Sequence, residues 1–349
     1  MILPIINFKE AINDSRQYII ARREGLITSL RTKFPTLDHY LIGGIPPNTI
    51  TCISAMSGCG KSTLAKCIRN SIAELNVSQK VYTFVFNFEM LAREQIAREL
   101  TTQLNMDLRD LYSANTRLSD KDFDRVEQSY IKMSQNNPDI YFIEISETAK
   151  VIKDSILYYY EKIVKPNNGV MVIELDHTLL TKGKEGQSEK DKIDALMYAL
   201  VDVKKIIASD GGTFIGIVLS QMNRDIESVD RIKDPAGHVP KTSDLFGSST
   251  ILQCCDYVII NHIPDKLHIL SYTPLELPTQ YRIQSKESGF DIIQACYLHI
   301  LKNRTGESGI TIPLENRLKY FDFDELDKVE FATRHQQFKK TGLVLLNKQ

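Results

Sequence analysis

The sequence contains no tryptophan, carries almost no net charge and has few cysteines. Its 43 basic residues against 44 acidic ones give a formal charge of −1. It therefore lacks the global positive field that draws a whole protein onto nucleic acid. Any nucleic-acid contact must come from local loops, such as those lining a channel. The six cysteines show no Cys-x-x-Cys spacing, which excludes the usual zinc frameworks. The adjacent Cys254 and Cys255 are expected to be free thiols beside a strand. No apolar run approaches the roughly 20 residues that span a bilayer. The opening MILPIINFKEAIND has neither a basic lead-in nor a small-residue cleavage site. The expectation is a soluble chain in a reducing cytoplasm, with no membrane partner.

What is present suits a large core: 42% hydrophobic residues, with 15 Tyr and 14 Phe. The length of 349 residues allows two ordinary domains, and no internal repeat or low-complexity segment appears. Residues 7–24 read as an isolated amphipathic helix with Phe8, Ala11, Ile12, Ile19 and Ile20 on its apolar stripe and Gly25 as its stop. After the turn-rich stretch around Gly43-Gly44 and Pro46-Pro47, strand-like runs occur at 49–54, 81–88, 139–145, 170–175, 213–220 and 257–263. Helical pattern fills most of 62–75, 91–104, 121–135, 150–163 and 190–208. This alternation predicts an α/β fold with a mostly parallel central sheet flanked by helices. Two late runs, 292–301 and 309–314, predict a C-terminal β-hairpin.

Residues 55–62, AMSGCGKS, follow a strand and open a helix. They match the phosphate-binding P-loop except that Ala55 stands in place of its first glycine. Backbone N–H groups and a helix N-terminus would cradle phosphates there. The nucleotide-binding set is Ser57, Gly58, Cys59, Gly60, Lys61, Ser62 and Thr63. Lys61 would oppose the β- and γ-phosphates, and Ser62 would help to hold Mg²⁺. The strand-like run VMVIELDHTLL (170–180) supplies two candidates for a second Mg²⁺-side carboxylate, Glu174 and Asp176. Residues two apart face the same side of a strand, so alternation cannot separate them. Asp176 is preferred, being nearer the C-terminal end where ligands sit in open α/β sheets. Glu89 ends another apolar run, where a carboxylate could activate water as a general base; a solvent-facing glutamate is the bland alternative.

These landmarks resemble the C-terminal motor domain of DnaB-type replicative helicases. The lead-in KFPTLDHYLIGGIPPNTI (33–50), the P-loop, FNFEM (86–90), RLSDKDFDRV (117–126), LSQMNRDIE (219–227), SDLFGSSTILQCCDYVI (243–259) and KNRTG (302–306) follow that family's order over about residues 26–325. The resemblance implies a RecA-like P-loop NTPase that uses ATP and Mg²⁺, assembles as a hexameric ring and moves on single-stranded DNA, with a primase or loader as further partners. It implies that Glu89 is the catalytic base, Asp176 the Mg²⁺-side acid and Gln221 the γ-phosphate sensor. Lys302 and Arg304 would be the pair inserted into a neighbouring subunit's nucleotide, the alternative being a solvated hairpin tip. DNA contacts would come from Lys182 and Lys184 in one loop and from Phe246, Gly247, Ser248 and Ser249 in another. Phe246-Gly247 departs from the family's Arg-Glu pair, which removes an expected phosphate contact. Residues 1–25 would be a linker helix docking on a neighbour, 26–325 the motor and 326–349 a tail. The family's helical N-terminal domain is missing from this sequence, as expected for a phage or mobile-element form. The P-loop, strand-end glutamate and Gln221 alone also fit a recombinase, a KaiC-like ATPase or a non-motor P-loop protein such as a nucleotide kinase or helicase loader. The Lys-x-Arg hairpin, the inserted helices and the linker helix favour the helicase.

Overall fold

The computed structural model describes residues 5–326, apart from 137–138, 179–180, 184–185, 235–236, 270, 273–276, 279 and 284–290. The expected tail 326–349 therefore lies outside the described residues beyond Leu326, as does Lys184. Helix α1, Phe8–Arg23, begins with a capping box. The Asn7 side chain accepts from the Glu10 N–H at 3.0 Å, and the Glu10 carboxylate accepts from the Asn7 N–H at 2.9 Å. Gly25, at φ +70°, ends the helical run as its sequence position suggests. No residue of α1 is buried, and Phe8, Ile12 and Ile19 present their side chains to solvent.

The elements that follow alternate as expected: α2 Pro35–Tyr40, β1 Thr49–Ala55, α3 Lys61–Leu75, β2 Val81–Asn87 and α4 Ala92–Leu104. Next come α5 Leu108–Leu111, α6 Asp120–Asn136, β3 Ile140–Ile143, α7 Ala149–Tyr159 and β4 Val170–Asp176. Helix α8, Glu189–Ser209, leads to β5 Thr213–Gln221, then α9 Val229–Lys233, α10 Ser248–Cys254 and β6 Tyr257–His262. The remaining strands are β7 Ser271–Tyr272, β8 Leu277–Pro278, β9 Gln280–Ile283, β10 Asp291–Asn303, β11 Ile310–Arg317 and β12 Asp322–Glu325.

The main sheet has the order β12-β11-β10-β6-β1-β5-β4-β2-β3, with β9 also paired to β10. From β6 to β3 every pairing is parallel, whereas β9 to β12 form an antiparallel edge. The parallel strands are apolar without alternation because helices cover both faces. Strands β1 (TITCISA) and β4 (VMVIELD) are buried along their whole length. The predicted mostly parallel sheet and its C-terminal hairpin, β10–β11, are therefore both present. Strand β3 is shorter than its apolar run, covering 140–143 of the expected 139–145.

Parallel pairing gives this sheet two unlike rims. The C-terminal ends of β1, β2, β4 and β5 bring the residues after Ala55, Asn87, Asp176 and Gln221 to one rim. The starts of β1 and β6 lie at the opposite rim. There the Asp256 N–H donates to the Ile50 carbonyl at 2.7 Å, and the Arg304 N–H donates to the Asp256 carbonyl at 3.1 Å.

Candidate active site

The P-loop folds as its glycines require. Gly58 and Gly60 sit at φ +72° and +76°, in the left-handed region that side chains disfavour. A Cβ on Gly60 would stand 2.6 Å from Phe323 and 2.7 Å from Leu318. The Asn261 amide, on β6, donates to the Cys59 carbonyl at 2.7 Å and holds the loop from below. Helix α3 starts at Lys61, so its unpaired N–H groups open onto the cleft.

The two carboxylates of β4 are separated by their partners. Asp176 is 1% exposed; its Oδ2 accepts the Ser62 hydroxyl at 2.6 Å, and its Oδ1 stands 3.7 Å from the Lys61 ammonium. Oδ1 is buried and accepts no hydrogen bond among the described residues. A carboxylate oxygen left open beside a serine hydroxyl fits a hard, oxygen-seeking cation such as Mg²⁺. Glu174 faces the same side but is held elsewhere. Its two oxygens accept from Arg69 Nη1 at 2.9 and 3.0 Å, and Arg69 Nη2 reaches Glu99 at 2.9 Å. All three groups are buried. Burial raises the Glu174 carboxyl above its ordinary value, and Arg69 opposes that rise.

Glu89 lies just past β2, with 54% of its side chain exposed and its Oε2 3.8 Å from His177 Nε2. Burial, and then Lys61, hold His177 below the ordinary imidazole range, so its ring is neutral at pH 7. Gln221 is paired with Ala55 in the β1–β5 register and reaches the same cleft. The open cleft is thus lined by the P-loop, Glu89 and Gln221 together.

Five further residues line it that the sequence patterns do not single out: Arg98, Lys266, Leu318, Lys319 and Phe321. Arg98 lies on α4, nine residues beyond Glu89, with its guanidinium 4.8 Å from the Phe321 ring centroid. Burial lowers the Arg98 pKa, while Asp176 and Glu89 oppose that shift. Lys319 and Phe321 come from the short turn between β11 and β12, residues 318–321, which is too short to show a period. Arg98 carried a signal in hindsight, as a cation on the helix that follows the FNFEM run.

The expected DNA loops both approach the start of α8, Gly183 beside Lys192 and Gly247 beside Ile193. Lys182 is tied to Glu147 twice, by its N–H to the backbone carbonyl at 3.1 Å and by its ammonium to the carboxylate at 3.2 Å. The segment 244–246 is laced to the end of β5: the Asn223 N–H donates to the Asp244 carbonyl at 2.7 Å, and the Phe246 N–H to the Gln221 carbonyl at 3.0 Å. Phe246 is half-buried against the core, so its ring is not freely presented for stacking. Gly247 takes φ +69° at the start of α10 beside Ile193, and Ser249 is exposed. Ser248 opens α10; the placement of its side chain lies outside what the structure describes.

Lys302 and Arg304 are not in the cleft. The Lys302 ammonium caps the end of α10, donating to the Leu252 carbonyl and, at 2.8 Å, to that of Cys255. The Arg304 guanidinium lies 2.8 Å from Asp256, with 54% of its side chain exposed. All six cysteines are free and buried, Cys254 and Cys255 among them. No described helix is long and apolar enough to cross a membrane.

The family model for the DnaB-like helicase C terminal domain matches residues 29–325. Among solved structures, an ATPase domain aligns with a TM-score of 0.71 at 19% identity, over 93% of this chain and 100% of that one. A DnaB-like replicative helicase, solved to show its interactions with primase, aligns with a TM-score of 0.69 at 20% identity, over 93% of this chain and 68% of the other. At that identity the likeness establishes the fold, that of the RecA-like ATPases. No curated protein sequence matches significantly.

Proposed function

Since this chain belongs to the DnaB-like helicase C-terminal domain family, we propose that it is an ATP-hydrolysing ring motor on single-stranded DNA whose active sites are completed between subunits. One observation carries this reading. Arg304 adjoins Asp256, whose carboxylate accepts the Ile50 N–H at 2.8 Å. Ile50 stands five residues before Ala55 on β1, or about 17 Å along a strand at 3.3–3.4 Å per residue. The P-loop and the hairpin arginine therefore occupy opposite rims of one sheet. An arginine on that rim cannot reach its own cleft, but it can reach one that a neighbour presents to it.

In the proposed reaction, Lys61 opposes the charge of the β- and γ-phosphates and Gln221 contacts the γ-phosphate. Glu89 takes a proton from the attacking water as the new bond to phosphorus forms. The bond to the ADP oxygen breaks, giving ADP and phosphate. Mg²⁺, held on the Ser62 and Asp176 side, would neutralise phosphate oxygens as charge builds. Arg304 of the adjacent subunit would add a permanent positive charge with several donors. Lys302 would join it only after leaving the α10 carbonyls that hold it here.

The second loop gives a route for coupling to DNA. Phe246 is bonded to Gln221 at the nucleotide rim, and α10 then runs to the carbonyls that hold Lys302. With the Arg-Glu pair replaced, phosphate contact falls to the backbone N–H groups at Gly247, Ser248 and Ser249 and to Lys182 and Lys184. Residues 1–25 would dock on the neighbouring subunit. A primase or loader would be a further partner in a bacterial host cytoplasm.

The test is hydrolysis of ATP with and without single-stranded DNA, followed by strand displacement on forks bearing each tail polarity. The proposal expects stimulation of hydrolysis and displacement from one polarity. Hydrolysis indifferent to DNA, with no displacement, contradicts it.

A further inference from the structure

We propose that Asp256 is the positioning residue for the trans-acting arginine, orienting Arg304 outward without cancelling its charge. This inference rests on the reading of Arg304 given above.

Every polar group of Asp256 is engaged. Its side chain is 5% exposed. Oδ2 accepts from the Ile50 N–H at 2.8 Å and from the Lys204 ammonium at 2.9 Å, and Oδ1 faces Arg304 Nη1 at 2.8 Å. Its own N–H and carbonyl bond to the Ile50 carbonyl and the Arg304 N–H. Asp256 is thus held from several sides, and it holds Arg304 both by the backbone and by one guanidinium nitrogen.

The charges explain why this grip does not disable the arginine. A carboxylate facing a lone arginine makes a neutral pair with little pull on a phosphate. Here Lys204 already offsets the carboxylate, so Asp256, Lys204 and Arg304 together retain one positive charge. That charge sits at the exposed end, because Lys204 is largely buried and Arg304 is half exposed.

The turn around it is stapled as well. The Asn303 side-chain oxygen accepts the Thr305 N–H and hydroxyl, each at 3.0 Å. The Asn303 amide donates to the Tyr40 carbonyl at 2.9 Å, and the Tyr257 and Thr305 hydroxyls are 2.8 Å apart. A group held this way before the substrate arrives has little conformational freedom left to lose in the transition state.

The variant Asp256→Asn keeps an oxygen for the Ile50 N–H and removes the charge that Arg304 answers. Its DNA-stimulated kcat is expected to fall about 10- to 100-fold, as misplacement of a reacting group does, with little change in KM for ATP. Subunit mixing then decides where the defect lies. If Asp256 serves the finger, Asp256→Asn subunits supply an intact P-loop to the finger of Lys61→Ala subunits, and activity returns. Mixed with Arg304→Ala subunits they recover nothing, since every interface then has a faulty finger.

A purely structural role through β1 and the P-loop gives the reverse pattern: recovery with Arg304→Ala and none with Lys61→Ala. That pattern overturns the proposal while leaving the trans reading intact. A dead mixture of Lys61→Ala with Arg304→Ala removes the trans reading itself and the proposal with it. If Asp256→Asn does not assemble, Lys204→Gln carries the test, because it leaves Arg304 in a neutral pair. Reduced kcat with the finger pattern of mixing supports the proposal, and wild-type kcat overturns it.

Discussion

The roles proposed for Lys61 and Glu89 make separable demands on the reaction. Lys61→Ala removes the phosphate counter-charge and is expected to abolish hydrolysis. Glu89→Gln keeps the shape of the mouth and removes only the base. It should bind nucleotide normally while turnover falls roughly 10²–10⁴-fold. Loss of affinity with an unchanged turnover number would place the base elsewhere. The β4 carboxylates should separate in the same manner. Glu174→Ala takes one of two carboxylates from buried Arg69 and leaves it Glu99, and since breaking a buried pair outright costs about 3–5 kcal/mol, the readout is a lowered midpoint in denaturant. Asp176→Asn should melt close to wild type yet fail to hydrolyse. A stable but inactive Glu174→Ala would reverse the two roles. This is also where sequence reasoning ends. The glycines and lysine of the P-loop act through adjacent residues, so their spacing alone exposes them. The partners that separate Glu174 from Asp176 are Arg69, 105 residues away, and Ser62, 114 residues away. No local pattern carries that information. Arg98, Lys319 and Phe321 are likewise gathered into the cleft only by folding.

Among the elements, α1 has an apolar stripe that none of the described residues covers. Phe8, Ile12 and Ile19 are all more than half exposed. Burying such side chains is worth about 1.5–3 kcal/mol each, ample to hold subunits together if a neighbour covers them. Deleting residues 1–24 should leave the melting of the motor unchanged and raise the protein concentration needed for ring assembly, as light scattering would report. Assembly indifferent to the deletion would deny the helix its docking role. The β6–β10 seam has a different sensitivity. Burial holds His299 down at about 3 and keeps His262 well below its ordinary value. The unfolded chain binds protons at these sites near pH 6.5 and the native state does not. Stability is therefore present above about pH 6.5 and is lost as pH falls below it. Asp38 and Glu174 run the opposite way, the Asp38 carboxyl being raised to about 6 and that of Glu174 also raised, each chiefly by burial, but burial lowers His177 and His238 as well and adds them to the histidine side. Denaturation midpoints should fall between pH 7.5 and 5.5, and His299→Gln should flatten that slope. A midpoint rising towards acid would contradict the burial argument. The long strands and helices are legible because burial on both faces, or on one stripe, writes itself into the sequence. Strand β12, DFDE, and helix α10, SSTILQC, are too short for a period to show, and their neighbours decide them.

At the scale of the whole molecule, the near-zero net charge and the parallel sheet bear on different things. With no net excess of positive charge in the sequence, DNA affinity should fall only gently with salt, with a log–log slope of about 0.7 per phosphate contacted. A slope indicating ten or more contacts would reveal a basic face that the sequence does not display. The sheet bears on the central claim, because its two rims hold the P-loop and Arg304, the two halves of the catalytic site proposed to form between subunits. Electron micrographs should show closed rings rather than open filaments. The most direct measurement is hydrolysis by a mixture of Lys61→Ala and Arg304→Ala subunits, each inactive alone, with exchange verified by labelled subunits. Trans-acting arginines contribute roughly 10³–10⁵ in rate, so even a few restored interfaces stand out from the background. The account predicts that DNA-stimulated activity returns as subunits exchange, because some interfaces pair an intact P-loop with an intact Arg304. If exchange is complete and the mixture stays inactive, Arg304 does not act across the interface, and the site does not belong to a pair of subunits.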